Sequence, residues 1–432
     1  MPRHRGGELN RRAFSKAALA IGGMQALSAC ISRGDGREIP MGVADPGDLP
    51  TGQHQWDESL IRDEWDNIIA PRHHLFLLLD YMGEGTPTDA ERDELKAALR
   101  SLERGYEWSN EGLVFTLGYT PAYFDRFDAE LDDSVELPEP EPLAPFEDPE
   151  RDLPDAGLHL ASDHVEVLLQ AEESLFGETE PDHAEMQGTL EGIFQRPEPG
   201  DTVRRRTGFV GAGLPAEHTD ARGIPDDAPI DDESPLFMNF ESAFRKNQAS
   251  EERVTIESGP FAGGTTQHLS KLHLNLHQWY GQDTREDRES LMFCPVHAKE
   301  GRIEGTGRNL GDNSAMDEAC TDHVTEHAER FGQVGHSQKM AAEARQDDEP
   351  LILRRDFDTT DDGHAGLHFL SVQKSIKDFV ITREAMNGTD IANETGIGVR
   401  TNNGILQYIN VQRRGNYLLP PREHRAFPEP MP

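Results

Sequence analysis

The predicted order of strands and helices limits most strongly what this chain can fold into. Continuous apolar runs indicate buried strands, and leucines repeated on one face behind a Thr or Asp cap indicate helices. These patterns predict a strand at 74–81, a helix at 88–103, strands at 113–119 and 156–162, and a helix at 165–176. Asp163 is predicted to cap the last of these helices. The order strand, helix, strand, strand, helix is that of half a ferredoxin-like α+β unit.

The second half of the chain repeats the theme less regularly, in a unit that begins near Gly208. The predicted elements are a strand at 236–240, a strand and helix within 264–280, a helix at 283–293, strands at 351–356 and 366–373, a helix at 375–386 and a weak strand at 406–411. Residues 296–334 are polar and rich in Gly, so we predict a loop there.

The charge of the chain excludes one class of function. Asp plus Glu number 80 against 42 Lys plus Arg, which gives a formal net charge of −38. Nucleic-acid binding needs a basic surface, and the sequence contains no basic patch. An acidic surface of this kind is typical of proteins kept soluble in high salt, where screening removes self-repulsion, and predicts a haloarchaeal source. An ordinary acidic exported protein is the alternative.

The N-terminus predicts export and anchoring. The pair Arg11-Arg12 precedes an apolar stretch too short to span a membrane, which is typical of a twin-arginine signal. Leu27-Ser-Ala-Cys30 is similar to a lipobox, in which Cys30 becomes the lipidated first residue. A cleaved signal with a chance cysteine is the alternative. We predict a cell-surface protein that is attached to the membrane by a lipid anchor only.

A histidine and a pair of arginines near the C-terminus are candidate functional residues. His336 lies in the segment Gly-Gln-Val-Gly-His-Ser-Gln-Lys, and it is followed by Leu-Ile-Leu-Arg354-Arg355-Asp and then by Gly366–Gln373. In order and spacing this region resembles the haem-binding half of the dye-decolourising peroxidase family. The resemblance covers roughly 56–425 and is specific from His336 to Phe369.

The resemblance implies a fold, a cofactor and a domain division. The fold class is α+β, with two ferredoxin-like domains of the dimeric α+β barrel type, in which helices pack on antiparallel sheets. The implied cofactor is haem b, held by the C-terminal domain. The predicted divisions are a signal at 1–30, a flexible linker at 31–55, an N-terminal domain at 56–200 and a haem-binding domain at 201–432.

The resemblance also implies roles for individual residues. His336 would ligate the haem iron, and the Arg354 guanidinium over the opposite haem face would stabilise the departing oxygen of hydrogen peroxide. Arg355 would point to the other face of its strand, because side chains alternate, and would meet a haem propionate or a carboxylate there. Phe369 is predicted to belong to the cofactor pocket.

One position departs from the family pattern. The family carries Gly-x-x-Asp-Gly, whose aspartate helps to move the peroxide proton, and the corresponding stretch here begins Gly208-Phe209 and places Gly211 where the aspartate should be. We expect these three residues to lie at the cofactor, although a glycine cannot act as a general acid or base. The nearby residues that are candidates to replace the aspartate are Glu217, His218 and Asp220.

Cysteines and histidines offer a competing site. Cys320, His323 and His327 share one face if their segment is helical, and they could bind zinc or copper. A polar helix or loop without metal is the alternative. Cys294 and Cys320 form either one disulfide or two buried thiols, and the sequence favours neither.

The sequence as a whole predicts an exported, haem-dependent peroxidase. Its partners would be hydrogen peroxide and an organic reductant that the sequence does not identify, and a homo-oligomer is compatible with the fold. A non-catalytic haem-binding or iron-handling surface lipoprotein is the alternative, because of Gly211. A structural or substrate-binding lipoprotein without haem is a further alternative.

Overall fold

The computed structural model describes residues 38–432, so the predicted twin-arginine signal and Cys30 lie outside the described residues. The strands are β1 (His73–Tyr81), β2 (Val114–Tyr119), β3 (Glu150–Arg151), β4 (Ala156–Ser162), β5 (Phe194–Gln195), β6 (Arg205–Phe209), β7 (Thr265–Leu274), β8 (Arg345–Gln346), β9 (Glu349–Pro350), β10 (Leu353–Arg354), β11 (Phe357–Thr359), β12 (Gly366–Gln373) and β13 (Ile409–Leu419). The α-helices are α1 (Asp89–Gly105), α2 (Pro121–Phe124), α3 (Val165–Leu175), α4 (Leu276–Gly281), α5 (Arg285–Met292), α6 (Pro295–Glu300), α7 (Glu318–Thr321), α8 (Val324–Phe331), α9 (His336–Glu343), α10 (Ile376–Asn387) and α11 (Thr389–Glu394). Within residues 38–432, every helix is too short or too polar to cross a bilayer.

The first unit has the strand order of a ferredoxin-like fold. β1 pairs antiparallel with β6 on one side and with β4 on the other, and β4 pairs with β2, which gives the order β6-β1-β4-β2. α1 begins as predicted, because Thr88 and Glu91 cap each other's backbone N–H groups. The predicted cap of α3 is wrong, since the Asp163 carboxylate accepts from the backbone N–H of Arg72, 2.9 Å away, and not from the helix.

The second unit repeats this order with β13-β7-β12 and then β10 and β11, which both pair with β12. β13 extends well beyond the weak strand predicted at 406–411, because it pairs with β7 along almost its whole length. The strand predicted at 236–240 does not form; this segment is a turn that buries Phe237 and Phe240 in the core. The loop predicted at 296–334 contains most of α6 and all of α7 and α8.

The two units close into one barrel. Leu418 of β13 pairs with Tyr119 of β2, and Asp358 of β11 pairs with Phe209 of β6. The hydrogen-bonded path therefore runs β1-β4-β2-β13-β7-β12-β11-β6 and returns to β1. This closed antiparallel sheet with helices outside it confirms the predicted α+β class of two ferredoxin-like units.

The barrel explains why β1 reads as a continuous apolar run and not as an alternation. Phe76 and Leu78 point into the barrel, where they pack with Phe357 and Tyr417. The alternate leucines of the same strand face outward and join the core beneath the first unit's helices. A strand that is buried on both faces has no polar face to reveal its period.

Two predicted boundaries need correction. Residues 38–55 are packed against the barrel, although a flexible linker was predicted there: the Gln53 side chain donates to the carbonyl oxygens of Leu117 and Pro420 and accepts from the Leu117 N–H. Gln53 thereby bridges the seam where β2 and β13 share only one ladder pair. The first unit also continues past the predicted limit at residue 200, because β6 is its fourth strand.

Candidate functional site

A large cavity lies on the outer face of the second unit's sheet. Its floor is formed by β7, β12, β13 and the β10–β11 strand, and helices α9 and α10 and the 236–247 segment cover it. The cavity encloses about 1610 Å³ of empty space, including the solvent at its mouth. Most of its wall is apolar, and a few charged side chains converge on it, which is the usual make-up of a cofactor or ligand site.

His336 is the first residue of α9 and lies on the cavity wall. Burial lowers the pKa of its imidazole to about 3, and the positive charges of Lys339 and Arg354 act in the same direction, so the ring is neutral near pH 7. Its Nδ1 is buried without a hydrogen-bond partner in the part of the chain that the structure describes. A neutral imidazole in an apolar wall is the form in which histidine binds a metal.

The helix that carries His336 is held tightly at its first turn. The Gln338 N–H donates to the Phe293 carbonyl (3.1 Å), and its side-chain Nε2 donates to the Cys320 carbonyl (2.7 Å). Gly335 has to be glycine, because a Cβ there would lie 1.8 Å from the Phe293 carbonyl oxygen. These contacts fix where the helix begins and therefore where the imidazole stands.

Arg354 faces the same cavity from β10. Its backbone is held by the Gln248 side chain, which accepts from the Arg354 N–H (3.1 Å) and donates to the Arg354 carbonyl (3.2 Å). Its guanidinium Nη1 lies 3.8 Å from Asp356 Oδ2. The structure therefore brings His336 and Arg354 to one cavity. Phe369 of β12 also lines that cavity.

Arg355 lies on the opposite face of the strand, as the alternation of side chains predicts. Its guanidinium stacks 4.0 Å over the Trp56 ring and donates to Glu251 Oε1 (2.8 Å) and to the His54 carbonyl (2.7 Å). Of the two partners predicted for Arg355, the structure shows the carboxylate. Arg355 does not line the cavity that contains His336.

The Gly208-Phe209-Gly211 stretch is not at the cavity wall. A Cβ on Gly208 would lie 2.2 Å from the Asp358 carbonyl oxygen, so this glycine permits close packing of β6 against β11. The Phe209 ring stacks on the ring of His218 at 4.2 Å, and the Gly211 N–H donates to the Pro235 carbonyl in a turn with φ of +116°. These contacts give all three residues structural roles that do not involve the cavity.

The three candidates to replace the missing aspartate are also elsewhere. His218 is buried against Phe209, while Glu217 and Asp220 are exposed, and none of them lines the cavity. The acidic groups that do line it near Arg354 are Asp356 and Asp358, which sequence reasoning missed. Strand alternation could have found them, since they follow Arg354 at intervals of two residues.

Burial raises the pKa of both carboxyls. The pKa of Asp356 is raised to about 6 by burial, although the positive charge of Arg354 and the nearby Leu370 backbone act against the shift. The pKa of Asp358 is raised well above its ordinary value, also by burial, while its Oδ2 accepts from the Phe237 N–H at 2.5 Å. Asp358 is therefore tied to the backbone, and Asp356 keeps Oδ1 buried and unpartnered among residues 38–432.

The competing cysteine and histidine site does not assemble as predicted. Cys294 and Cys320 form a disulfide, which decides between the two open alternatives. His323 is on the surface beside Glu326, and the ring of His327 accepts from the Gln338 side chain. Donor atoms of Cys294, His297 and Cys320 lie within 4.8 Å of one another, but the disulfide occupies both sulfurs.

Comparison with known sequences gives one family. A model described as a family of unknown function (DUF7405) matches residues 71–421, which is most of the chain. The chain belongs to this family. No curated protein sequence is detectably similar to it.

Several solved structures share the fold of this chain. DtpA from Streptomyces lividans, in an oxyferrous complex, is 14% identical with a TM-score of 0.55, covering 84% of this chain and 94% of its own. A variant of DypB from Rhodococcus jostii RHA1, in complex with heme, is 14% identical with a TM-score of 0.51, covering 87% and 98%. An encapsulated DyP-type peroxidase from Mycobacterium smegmatis is 14% identical with a TM-score of 0.50, covering 84% and 97%. At this identity the similarity shows that the DUF7405 chain shares their fold.

Proposed function

We propose that this DUF7405 protein is a haem-dependent peroxidase of the dye-decolourising type, which uses hydrogen peroxide to oxidise an organic substrate. The observation that carries the proposal is the shared cavity of His336 and Arg354, residues that are separated in sequence. The fold shared with DyP-type peroxidases and the order of motifs from His336 to Phe369 support it.

The residues around the cavity fit haem b. His336 supplies a neutral imidazole whose Nδ1 has no competing partner among the described residues. The apolar wall, which includes Phe369 and Met340, suits a flat macrocycle. Arg345 also lines the cavity, and its guanidinium donates to the backbone carbonyls of Asp348 and Lys246, so its positive charge is available to a propionate.

Haem, when bound, supplies an iron that binds peroxide and stores the oxidising equivalents. The protein's part is to hold the haem in place and to stabilise the charge that develops on the departing oxygen. His336 would hold the iron from α9, and its neutral state at pH 7 means that binding does not require a proton to be removed first. Arg354 would place a permanent positive charge beside the O–O bond, where a departing oxygen becomes negative. The low-dielectric wall strengthens that interaction.

Several finer features belong to the same proposal. We propose export by the twin-arginine pathway and lipid anchoring at Cys30, which the motifs at Arg11-Arg12 and Leu27–Cys30 support. Cys30→Ser should release the protein from the membrane, and unchanged membrane association would refute the anchor. The reductant stays unspecified, and the acidic composition supports a salt-adapted, haloarchaeal source.

Haem titration of the purified protein tests the proposal. Wild type should bind one haem, give an absorption band of histidine-ligated iron, and then oxidise a dye with hydrogen peroxide. His336→Ala should lose or greatly weaken haem binding while it remains folded. His323→Ala is the matched control, because His323 is an exposed histidine outside the cavity.

Each other outcome selects a different function. Haem binding without any reaction with peroxide would favour the non-catalytic haem-handling lipoprotein. The absence of a haem band in wild type would remove haem from the proposal and favour the structural or substrate-binding lipoprotein. Full haem retention by His336→Ala would show that another residue ligates the iron.

A further inference from the structure

We propose that Asp356 is the acid–base residue of this cavity and takes the task that Gly211 cannot perform. The inference rests on the proposed peroxidase function and deepens it, because it names the group that moves the peroxide proton. Sequence position alone pointed instead to the neighbours of Gly211, which the fold places away from the cavity.

The position of Asp356 is the first argument. It lies in the short connection between β10 and β11, on the cavity side of the strand, and its Oδ2 is 3.8 Å from Arg354 Nη1. A carboxyl and a guanidinium therefore stand side by side in the wall of the cavity. Whatever small molecule reaches Arg354 also reaches Asp356.

The unpartnered oxygen is the second argument. Asp356 Oδ1 is buried and has no hydrogen-bond partner within residues 38–432, whereas nearly all buried polar atoms in proteins have one. Leaving a carboxyl oxygen in this state is unfavourable, because no hydrogen bond offsets the loss of its contacts with water. A hydroxyl donor that enters the cavity, such as hydrogen peroxide, would satisfy it.

The other charged groups around the cavity are all engaged elsewhere or lack a proton to give. Asp358 on the same strand accepts from the Phe237 N–H, and Glu241 on the covering segment accepts from the Thr306 hydroxyl. Arg383 of α10 and Arg414 of β13 share the carboxylate of Glu147. His336 of α9 is the proposed iron ligand, and Arg345 next to the end of α9 donates to the carbonyl oxygens of Asp348 and Lys246.

The protonation behaviour of Asp356 suits this task. Its pKa is raised to about 6 by burial, so the carboxyl exchanges its proton in the neutral range, where a general acid–base group is most effective. The neighbouring Arg354 charge limits the shift and keeps the ionised form available. In contrast, the arginines have no proton to lose near neutral pH.

The proposed step transfers one proton within the peroxide. Asp356 Oδ1, ionised, accepts the proton of the oxygen that is retained and returns it to the outer oxygen. The O–O bond breaks, its electron pair goes to the outer oxygen, and that oxygen leaves as water carrying both protons. The haem, when bound, would take up the retained oxygen and give the two electrons that the organic reductant later restores. Overall, hydrogen peroxide becomes two waters with two protons and two electrons, which the organic reductant supplies. Arg354 stabilises the negative charge on the outer oxygen until it is protonated.

The decisive variant is Asp356→Asn, which keeps shape and removes the titrating group. In the haem-loaded protein, its rate of reaction with peroxide should fall by at least about 100-fold, the lower end of the range for acid–base catalysis, with haem affinity unchanged. The wild-type rate should rise with pH through a pKa near that of Asp356, and this dependence should vanish in the variant. Asp356→Glu should recover part of the rate, because a carboxyl is restored.

A second measurement does not involve haem. In the haem-free protein, carbon NMR of labelled aspartates should show one carboxyl that titrates near pH 6 and is missing in Asp356→Asn. Asp358→Asn is the matched control, because it changes a buried carboxyl on the same face of the strand but leaves an acceptor for the Phe237 N–H. Its reaction with peroxide should change far less than that of Asp356→Asn.

The outcomes separate this inference from the proposed function. If Asp356→Asn binds haem and reacts within a few-fold of wild type, the assignment is overturned and the peroxidase function stands. If Asp358→Asn loses as much rate as Asp356→Asn, the effect is structural and the assignment is again overturned. If wild type binds no haem, the proposed function fails and the role of Asp356 fails with it.

Discussion

The disulfide between Cys294 and Cys320 should contribute a large share of the stability around the cavity that His336 lines. We consider the double variant Cys294→Ser, Cys320→Ser, which removes the cross-link and keeps two small buried side chains. The sequence separation of the two cysteines is 26. Closing a loop of that size in the unfolded chain removes entropy worth about 3.5 kcal/mol at 25 °C. The free energy of unfolding should therefore fall by about that amount.

The disulfide also supports the helix that carries His336, the proposed iron ligand. Helix α9 begins on the two segments that the disulfide joins, because Gln338 donates to the carbonyl oxygens of both Phe293 and Cys320. If these segments separate, the first turn of α9 and His336 lose their fixed position. We expect the double variant to lose haem faster than wild type, at a denaturant concentration where both are folded.

The assay is guanidinium unfolding followed by circular dichroism, in molar KCl, with the haem-free wild type and the double variant compared directly. Cys30→Ser is the matched control, because it removes the remaining cysteine and leaves the disulfide intact. Haem transfer to an excess of an acceptor protein measures retention. A change in unfolding free energy below about 1 kcal/mol would refute the loop-closure reasoning, since the expected loss is several times larger. Unchanged haem transfer would show that the disulfide does not position His336.

Buried charges and the net charge give three further predictions. Burial lowers the pKa values of His54, His74 and His268 to about 3, so these residues bind protons more readily in the unfolded chain than in the folded one. The free energy of unfolding should therefore be full above about pH 6.5 and fall toward pH 3, by up to roughly 1.4 kcal/mol per pH unit for each residue. Urea-unfolding free energies that stay constant from pH 7 to 5 would contradict this. Arg355→Leu leaves the carboxylate of Glu251 buried without its guanidinium partner, and should lower the free energy of urea unfolding by about 3 kcal/mol. Haem affinity should stay unchanged. A folded variant that binds haem more weakly would show that Arg355 belongs to the site. The net charge is −38, and dialysis from molar to about 0.01 M salt increases the screening length from about 3 to about 30 Å, so the acidic groups repel one another more strongly. The helical circular dichroism signal should then decrease. Equal signals in both buffers would count against salt adaptation.

The sequence alone was enough for much of the fold. Apolar runs and caps located β1, α1, β4 and β12 nearly to the residue, because strands buried on both faces and capped helices have strong local patterns. The strand predicted at 236–240 failed because an apolar run records burial, and here burial comes from aromatic side chains of a turn. β13 was underestimated because a polar strand is stabilised by its partner β7, which no local pattern records.

For the candidate site too, local patterns predicted some features, and others depended on tertiary packing. Local alternation was sufficient to place Arg354 and Arg355 on opposite faces, and motif order was sufficient to join His336 to Arg354. Gly208, Phe209 and Gly211 were expected at the cofactor because they are aligned with a family motif. Their position depends on how β6 packs against β11, and that packing directs the segment away from the cavity.

What the sequence determined, therefore, is whatever depends on neighbours along the chain: strand and helix periods, caps, the alternation at Arg354-Arg355 and the net charge. What only the tertiary structure decided depends on pairs that are distant in sequence. These are the closure of the barrel through β2 with β13 and β6 with β11, the choice of a disulfide by Cys294 and Cys320, and the burial that gives Asp356 its pKa. Desolvation and long-range pairing are properties of the folded environment, so a local pattern cannot encode them.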